Sequence, residues 1–177
     1  GVQAEYQFSG FEGYIVAGSA NSTLTNNATV DVITRSSEND IVLVKSGDGL
    51  KIDLGHDGGS TQDVLSFRGT NAGVTIDLNP PSLNGYVNFT TAGDTGGTSQ
   101  VSGADVVFGS EVGDVVKGFT SQSNLLAGFG GDDTLTGGGF ADLLVGGAGD
   151  DILIGGAGND TLIDLDKATL KGGDGKD

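Results

Sequence analysis

Cysteine is absent from this chain of 177 residues, as are methionine and tryptophan, and histidine occurs once. Without cysteine there are neither disulfides nor thiolate metal ligands, so the redox environment cannot be inferred from bridges. A metalloprotease helix needs two histidines, and the lone His56 stands beside Asp57-Gly58-Gly59, a sequence typical of a surface turn. These absences exclude thiol chemistry and histidine-based zinc catalysis.

Basic residues and long apolar runs are also scarce. Eight Lys and Arg stand against 24 Asp and Glu, which gives a formal net charge of −16. This charge argues against nucleic acid and anionic membrane surfaces as partners. No run of 18 apolar residues and no basic segment followed by an apolar one occurs, so we expect neither membrane insertion nor a signal peptide. The chain starts at Gly1 and stops inside a repeat, so we expect a fragment or processed piece of a larger protein.

Glycine, in contrast, makes up 34 of the 177 residues, well above the usual ~7%. It is concentrated in four consecutive nine-residue units with glycines among the first four places, aspartate sixth and leucine eighth. Glycine turns at positive φ without steric cost, and Asp-x-Leu-x alternates like a short strand, so each unit is predicted to be a turn followed by a strand. The units are GFGGDDTLT (128–136), GGGFADLLV (137–145), GGAGDDILI (146–154) and GGAGNDTLI (155–163).

Stacked units of this kind predict an all-β fold, a right-handed parallel β-roll (β-solenoid) with two units per coil and the leucines inside. Turns one coil apart then lie ~4.8 Å from each other, so Asp133 stacks on Asp151 and Asp142 on Asp160. Stacked carboxylates repel, and turn carbonyls add negative potential, so a cation between the turns is required. A cage of oxygens alone favours Ca²⁺ over Zn²⁺ or octahedral Mg²⁺. About six such ions would contribute roughly +12 of charge.

These units resemble the RTX (repeats-in-toxin) calcium-binding nonapeptide, Gly-Gly-x-Gly-x-Asp-x-U-x, most closely at 146–163, and the pattern restarts at Gly172. The resemblance implies that each ion lies between two stacked turns. It is held there by both sixth-place aspartates, by the carbonyls of places two and four of one turn, and by those of places one and three of the next. Phe140 stands where the family has glycine. The implied ligands are Phe129, Gly131, Asp133, Gly146, Ala148 and Asp151 on one edge, and Gly138, Phe140, Asp142, Gly155, Ala157 and Asp160 on the other.

The sixth-place pattern extends beyond these units in both directions. Asp105, Asp114 and Asn124 occupy equivalent places and are predicted as further ligands, with weaker or absent ions because asparagine is neutral and these turns lack glycines. Asp177 follows Asp160 by 17 residues and is predicted to close another site. The stacks should be Asp105, Asn124, Asp142 and Asp160 on one edge, and Asp114, Asp133 and Asp151 on the other.

The nine-residue spacing divides the chain into three predicted segments. Residues 1–44 are interpreted as degenerate solenoid coils, since Ile15, Leu24, Ile33 and Val42 are each nine apart. Residues 45–99 break the spacing and are predicted to be an irregular β segment with long loops. Residues 100–177 are predicted to be the calcium-binding β-roll.

No catalytic constellation stands out. The chain has no Gly-x-Ser-x-Gly elbow, and Gly175-Lys176-Asp177 lacks the remainder of a phosphate loop. The paired carboxylates are better explained as calcium ligands, so we expect no enzyme activity.

Two functions follow from the resemblance, both extracellular and both implying type I secretion. The first is a structural module of the bacterial cell surface that builds a surface layer, filament or adhesin by self-association or with other surface components. The alternative is the non-catalytic folding and secretion segment of an exported enzyme or toxin, similar to serralysin-like proteases or alginate epimerases.

Overall fold

A computed structural model describes residues 4–8, 15–16, 22–26, 32–33, 39, 41–44, 51–54, 62–79, 87–92 and 99–177. All regular structure within these ranges is β-strand, and they contain no helix that could cross a membrane. The strands are β1 (Ala4–Phe8), β2 (Ile15–Val16), β3 (Ser22–Asn26), β4 (Val32–Ile33), β5 (Ile41–Val44), β6 (Lys51–Asp53), β7 (Val64–Ser66), β8 (Val74–Asp77), β9 (Val87–Thr91), β10 (Ser99–Ser102), β11 (Val106–Phe108), β12 (Val115–Lys117), β13 (Leu125–Gly130), β14 (Thr134–Gly138), β15 (Leu143–Ala148), β16 (Asp150–Ala157), β17 (Thr161–Ile163) and β18 (Lys167–Asp174).

The strands form two sheets. The first sheet has the order β1-β3-β5-β7-β11-β13-β15-β17 and is parallel throughout. The second has the order β2-β4-β6-β10-β9-β8-β12-β14-β16-β18. From β11 onward successive strands alternate between the two sheets, so each coil contributes one strand to each. The predicted all-β, parallel architecture is confirmed, whereas the right-handed winding stays a prediction.

The register of the strands is set by the eighth-place leucines. Leu126 pairs with Leu144, and Leu144 with Leu162, in the first sheet, while Leu135 pairs with Leu153 in the second. Each pair is 18 residues apart, which is the predicted coil length. A slip of one residue would turn every leucine outward, so burial of this column fixes the register.

The leucine column is the core of the glycine-rich coils. Leu126, Leu135, Leu144 and Leu153 are fully buried, and Leu162 packs against them at the end of the column. Each buried leucine contributes roughly 1.5–3 kcal/mol, but the short strands bury little besides this one side chain. The stability of these coils therefore depends strongly on the interactions made in the turns.

One strand departs from the parallel pattern. β9 runs antiparallel to both β8 and β10 and lies between them in the second sheet. Phe89 of β9 packs edge to face on Phe67, with ring centroids 5.3 Å apart, so aromatic rings fill the interior where the strand is inserted. This strand falls within 45–99, the segment whose spacing is irregular in the sequence.

The early nine-residue spacing also coincides with strands. Ile15 lies in β2, Leu24 in β3, Ile33 in β4 and Val42 in β5, and these strands alternate between the two sheets. The division of the chain at residues 44 and 99 stays a prediction. His56 lies outside the described residues.

Candidate metal centre

The turns between coils line up along two edges of the roll. Turns that lead from the first sheet to the second form the first edge, and turns that lead back form the second edge. The first edge carries Asp114, Asp133 and Asp151; the second carries Asn124, Asp142, Asp160 and Asp177.

Glycine conformation shapes these turns. In turn 146–149 the second and fourth residues, Gly147 and Gly149, have φ values of 126° and 143°, a region that strains residues with a Cβ. Space is equally short: a Cβ on Gly147 would collide with the Phe129 carbonyl, and one on Gly149 with the Gly131 carbonyl of the preceding coil. The glycines therefore allow successive turns to stack so closely that backbone carbonyls enter the gap between them.

Phe129 is the one residue other than glycine with positive φ in the described part of the chain, at 82°. The Arg68 guanidinium carbon lies 4.3 Å from its ring centroid, and the Phe108 ring packs edge to face at 5.6 Å. Such contacts are typically worth about 0.5–1.5 kcal/mol each, comparable to the ~1–3 kcal/mol cost of the strained backbone. Side chains of the neighbouring coils thus hold this turn in the shape that glycine gives elsewhere.

The turn at 137–142 differs from the turns of the other three glycine-rich units. Neither Gly138 nor Phe140 has positive φ, although the same places in the next turn of this edge, Gly156 and Gly158, have 114° and 137°. Phe140 itself is half exposed. Its carbonyl still faces Gly158 of the next coil, so the oxygen reaches the gap despite the altered backbone.

A ladder of aspartates fastens each coil to the next. The backbone N–H of Asp133 donates to Asp151 Oδ1 at 2.8 Å, and on the second edge Asp142 N–H donates to Asp160 Oδ1 at 2.9 Å. The ladder continues from Asp160 N–H to Asp177 Oδ1 at 3.0 Å. The structure thus brings together the predicted stacks except for Asp105 with Asn124, and a side-chain oxygen of the later residue in each pair accepts a backbone hydrogen bond.

The second oxygen of these carboxylates has no partner. Asp133, Asp142, Asp151 and Asp160 are all at most 5% exposed, and the Oδ2 atom of each is buried without a hydrogen bond. A buried anionic oxygen without a donor is costly. Four such atoms in register indicate that a ligand supplies the missing positive charge.

Backbone carbonyls share the space around these oxygens. A Cβ on Gly128 would collide with Asp133 Oδ2 and lie 2.8 Å from the carbonyl oxygen of Gly146 in the next coil. On the second edge, a Cβ on Gly137 would likewise meet Asp142 Oδ2 and the Gly155 carbonyl. Carboxylate and carbonyl oxygens from two coils therefore flank the same glycine.

Burial raises the pKa of Asp133 to about 7. Burial also raises the pKa of Asp142 and of Asp151, where the neighbouring Asp164 carboxylate adds to the effect. A proton and a cation therefore compete for each of these carboxylates, because desolvation penalises the charged form when it has no counter-charge.

The donor set fits Ca²⁺. All candidate ligand atoms are oxygens, and Ca²⁺ accepts carboxylates and backbone carbonyls in flexible geometries. In the described part of the chain no three His, Cys, Asp or Glu side chains converge on one point, so carbonyls must complete each site. Ala148 pairs with Gly130 and Ala157 with Asp174 in the stacked turns. The individual ligand roles stay predictions.

At three of the predicted ligands, Asp105, Asp114 and Asn124, side-chain atoms hydrogen-bond to the protein. Asp114 Oδ2 accepts the Ser110 N–H at 2.6 Å, and its Oδ1 accepts the Val74 N–H at 2.7 Å and the Ser110 hydroxyl at 2.9 Å. Asp105 Oδ2 accepts the Asp63 N–H at 3.0 Å, and its own N–H donates to the Asp63 carbonyl rather than to Asn124.

Both the oxygen and the nitrogen of the Asn124 side-chain amide make hydrogen bonds within its turn. Its Oδ1 accepts the Phe119 N–H at 2.7 Å, and its Nδ2 lies 3.0 and 3.2 Å from the Phe119 and Gln122 carbonyls and 2.8 Å from Asp142 Oδ1. This geometry does not favour ligand roles for Asp105, Asp114 and Asn124, which stay predictions.

Sequence reasoning missed two residues at these turns. Ser110 donates twice to Asp114, and its position four residues before a buried aspartate was the available signal. Asp164 has a buried Oδ2 without a hydrogen bond; its signal was an aspartate in the first place of a unit that has no glycine there.

Comparison with known families identifies the repeats. Residues 127–162 match the RTX calcium-binding nonapeptide repeat, in four copies. No curated protein matches the chain. The matched range covers almost all of the four glycine-rich units, so the resemblance read from the sequence and the assignment of Ca²⁺ are confirmed there.

Proposed function

We propose, from the premise that residues 127–162 are an array of RTX calcium-binding nonapeptide repeats, that this chain is an extracellular structural module that folds when Ca²⁺ binds. The observation that carries the proposal is the set of buried Oδ2 atoms without a hydrogen bond, at Asp133 and Asp151 on one edge and at Asp142 and Asp160 on the other. Because the unfolded chain has no preformed site, the free energy of binding becomes free energy of folding.

The charge of the chain supports an extracellular setting. At −16 the calcium-free chain repels itself, which favours an unfolded state wherever free calcium is low. Calcium sites of micromolar to millimolar affinity are empty in a cytosol and filled outside the cell. RTX repeats are typical of secreted proteins, so we place the module at the bacterial cell surface after type I secretion.

Assembly into a surface layer, filament or adhesin is the second part of the proposal. Coils held together by ions between their turns suit such a role, and outer strands of a sheet offer unpaired backbone groups to another chain. Leu165, in the turn between β17 and β18, is an exposed apolar side chain. Another copy of the module, or another surface component, is the partner, and the aspartates bind calcium rather than catalyse a reaction.

A calcium titration followed by circular dichroism tests the first part. We expect β structure to increase on adding Ca²⁺ and to decrease with chelator; a spectrum that does not change with either would contradict the proposal. Electron microscopy in millimolar Ca²⁺ tests the second part. Ordered sheets or fibres support a structural module, whereas monodisperse particles favour the alternative, a folding and secretion segment of an exported enzyme or toxin.

A further inference from the structure

The last turn of the first edge breaks the repeat. In the register of the second sheet, Ala168 stands opposite Asp151, so no sixth-place aspartate follows Asp151 on this edge. The unit that begins at Asp164 also has no glycine in its first four places. A site beyond Asp151 built in the usual way would have one carboxylate instead of two.

The Asp164 side chain fills that position. A Cβ on Gly146 would collide with both Asp151 Oδ2 and Asp164 Oδ2. One coil earlier, a Cβ on Gly128 meets Asp133 Oδ2 and the Gly146 carbonyl oxygen. Asp164 Oδ2 therefore lies where the first-place backbone carbonyl of the next coil lies in the regular turns.

Neither facing oxygen has a donor. Asp151 is 1% exposed, and its Oδ2 is buried without a hydrogen bond, as is Asp164 Oδ2. Asp164 Oδ1 accepts the Asp166 N–H at 2.7 Å, which holds the carboxylate in this orientation. The ion pairs found among the described residues join Arg68 to Glu111 and Lys117 to Asp77, on other coils. Two anionic oxygens in one buried space without a counter-charge repel each other strongly.

We propose that Asp151 and Asp164 hold a further calcium ion, at a site where a first-place side chain supplies the carboxylate that the stacked sixth place lacks. The carboxylate count of the regular sites is thereby kept at two. Carboxylate count is one of the properties that tune calcium affinity, so the array gains one more filled gap past residue 162. This inference depends on the proposed calcium-dependent folding of the array.

Counting bound ions on the whole chain tests the site. Native mass spectrometry at about 1 mM free Ca²⁺, a concentration that fills extracellular calcium modules, gives the number of ions per chain. We expect Asp164→Ala to carry one ion fewer than the unsubstituted chain. Asp174→Ala removes the same charge at an exposed position of the second edge and should keep the full number.

A second variant guards against loss of folding. Asp164→Asn keeps the side-chain shape and the acceptor for the Asp166 N–H, and should bind this ion at least about tenfold more weakly because one ligand charge is gone. An unchanged count and affinity in both Asp164 variants would overturn the inference, as would loss of all ions from Asp164→Asn. Failure of the unsubstituted chain to bind calcium would instead refute the proposed function itself.

Discussion

Two turns of the first edge, one coil apart, solve the same problem in different ways. Both contain a buried sixth-place aspartate, Asp114 and Asp133, each about 1% exposed. Asp114 receives three hydrogen bonds through its two oxygens, two of them from Ser110, whereas Asp133 leaves Oδ2 without any. The same coil geometry can therefore form around Asp114 without calcium. The two turns differ in whether protein N–H and O–H groups or a cation stabilise the buried carboxylate.

The second edge repeats the contrast with different chemistry. The Asn124 amide nitrogen lies within hydrogen-bond distance of two turn carbonyls and of Asp142 Oδ1. It thus occupies the role that a cation has in the turns of Asp142 and Asp160. We call a turn protein-closed when protein donors satisfy its sixth-place side chain, and cation-closed when an Oδ2 atom is left for an ion. Along the chain, the change from the first kind to the second falls between residues 124 and 133.

Removing calcium should divide the molecule at this boundary. With chelator, we expect amides of 128–163 to lose protection from hydrogen exchange, because unpartnered carboxylates then repel in every turn. Amides of 62–79 and 101–119 should keep most of theirs, since donors such as Ser110 remain. Hydrogen exchange read by mass spectrometry measures this, and uniform loss along the chain would show that the two regions are not distinct.

Asp151→Ala should be the most damaging substitution in the cation-closed region. It removes the acceptor for the Asp133 N–H and the carboxylate shared by two gaps, at a cost of about 3 kcal/mol or more in calcium. Asp150→Ala, next to it but exposed, should change stability by less than ~0.5 kcal/mol. Urea unfolding in saturating Ca²⁺ compares the two, and equal midpoints would refute the assigned register.

Gly69 and Gly131 allow the cost of backbone strain to be measured apart from the cost of a steric collision, because their φ values are similar and their surroundings are not. Gly69 and Gly131 have φ values of 82° and 90°. A Cβ on Gly69 meets nothing within 4 Å, whereas one on Gly131 collides with the backbone of Val112 and Gly113. Gly69→Ala should cost about 1–2 kcal/mol from strain alone, and Gly131→Ala a further ~1–3 kcal/mol. Thermal unfolding in Ca²⁺ gives the difference, and identical losses would mean that close stacking carries no weight.

Asn124→Asp should convert a protein-closed turn to a cation-closed one. Without calcium, the variant loses the amide donors and should be less stable by about 1–3 kcal/mol. With calcium it should recover and bind one additional ion, as counted by native mass spectrometry. A variant that stays equally destabilised in calcium, with no extra ion, would show that closure by the amide and closure by a cation are not interchangeable.

The last expected effect is a pH dependence of stability that calcium abolishes. Burial raises the pKa of Asp133 from 3.8 to about 7, so the calcium-free fold takes up a proton that the unfolded chain releases between these values. Stability of the calcium-free fold should therefore fall as pH rises from 5 to 7. In calcium the ion displaces the proton, so affinity should rise by up to about tenfold per pH unit over the same window. Melting curves of dialysed and calcium-loaded protein check this: stability should fall with rising pH in the dialysed protein only, and equal slopes would contradict it.

Much of the glycine-rich region was predictable from the sequence, because one nine-residue spacing determines its strands and turns. Leucine every nine residues fixes both the register and the interior, and the glycine clusters mark the turns, although Phe129 has positive φ and Gly138 does not. The pairing of Asp133 with Asp151 follows from that spacing alone. Prediction of these features needs no knowledge of distant contacts.

The remainder depends on contacts that a spacing does not reveal. β9 alternates like any strand, so its antiparallel insertion between β8 and β10 could not be read locally. Closure of Asp114 by Ser110 and Val74 depends on residues 4 and 40 positions away. Asp164 was overlooked because it acts from the first place of a unit rather than the sixth.

The aspartate ladder points one way along the chain. Every N–H in it donates to a carboxylate that lies 17 to 19 residues later, so each of these hydrogen bonds takes its acceptor from the coil that follows. If the chain leaves a narrow conduit with its amino end first, the ladder hydrogen bond of each turn forms only after roughly one more coil has emerged. These bonds then form in the order of exit, with a constant lag of one coil.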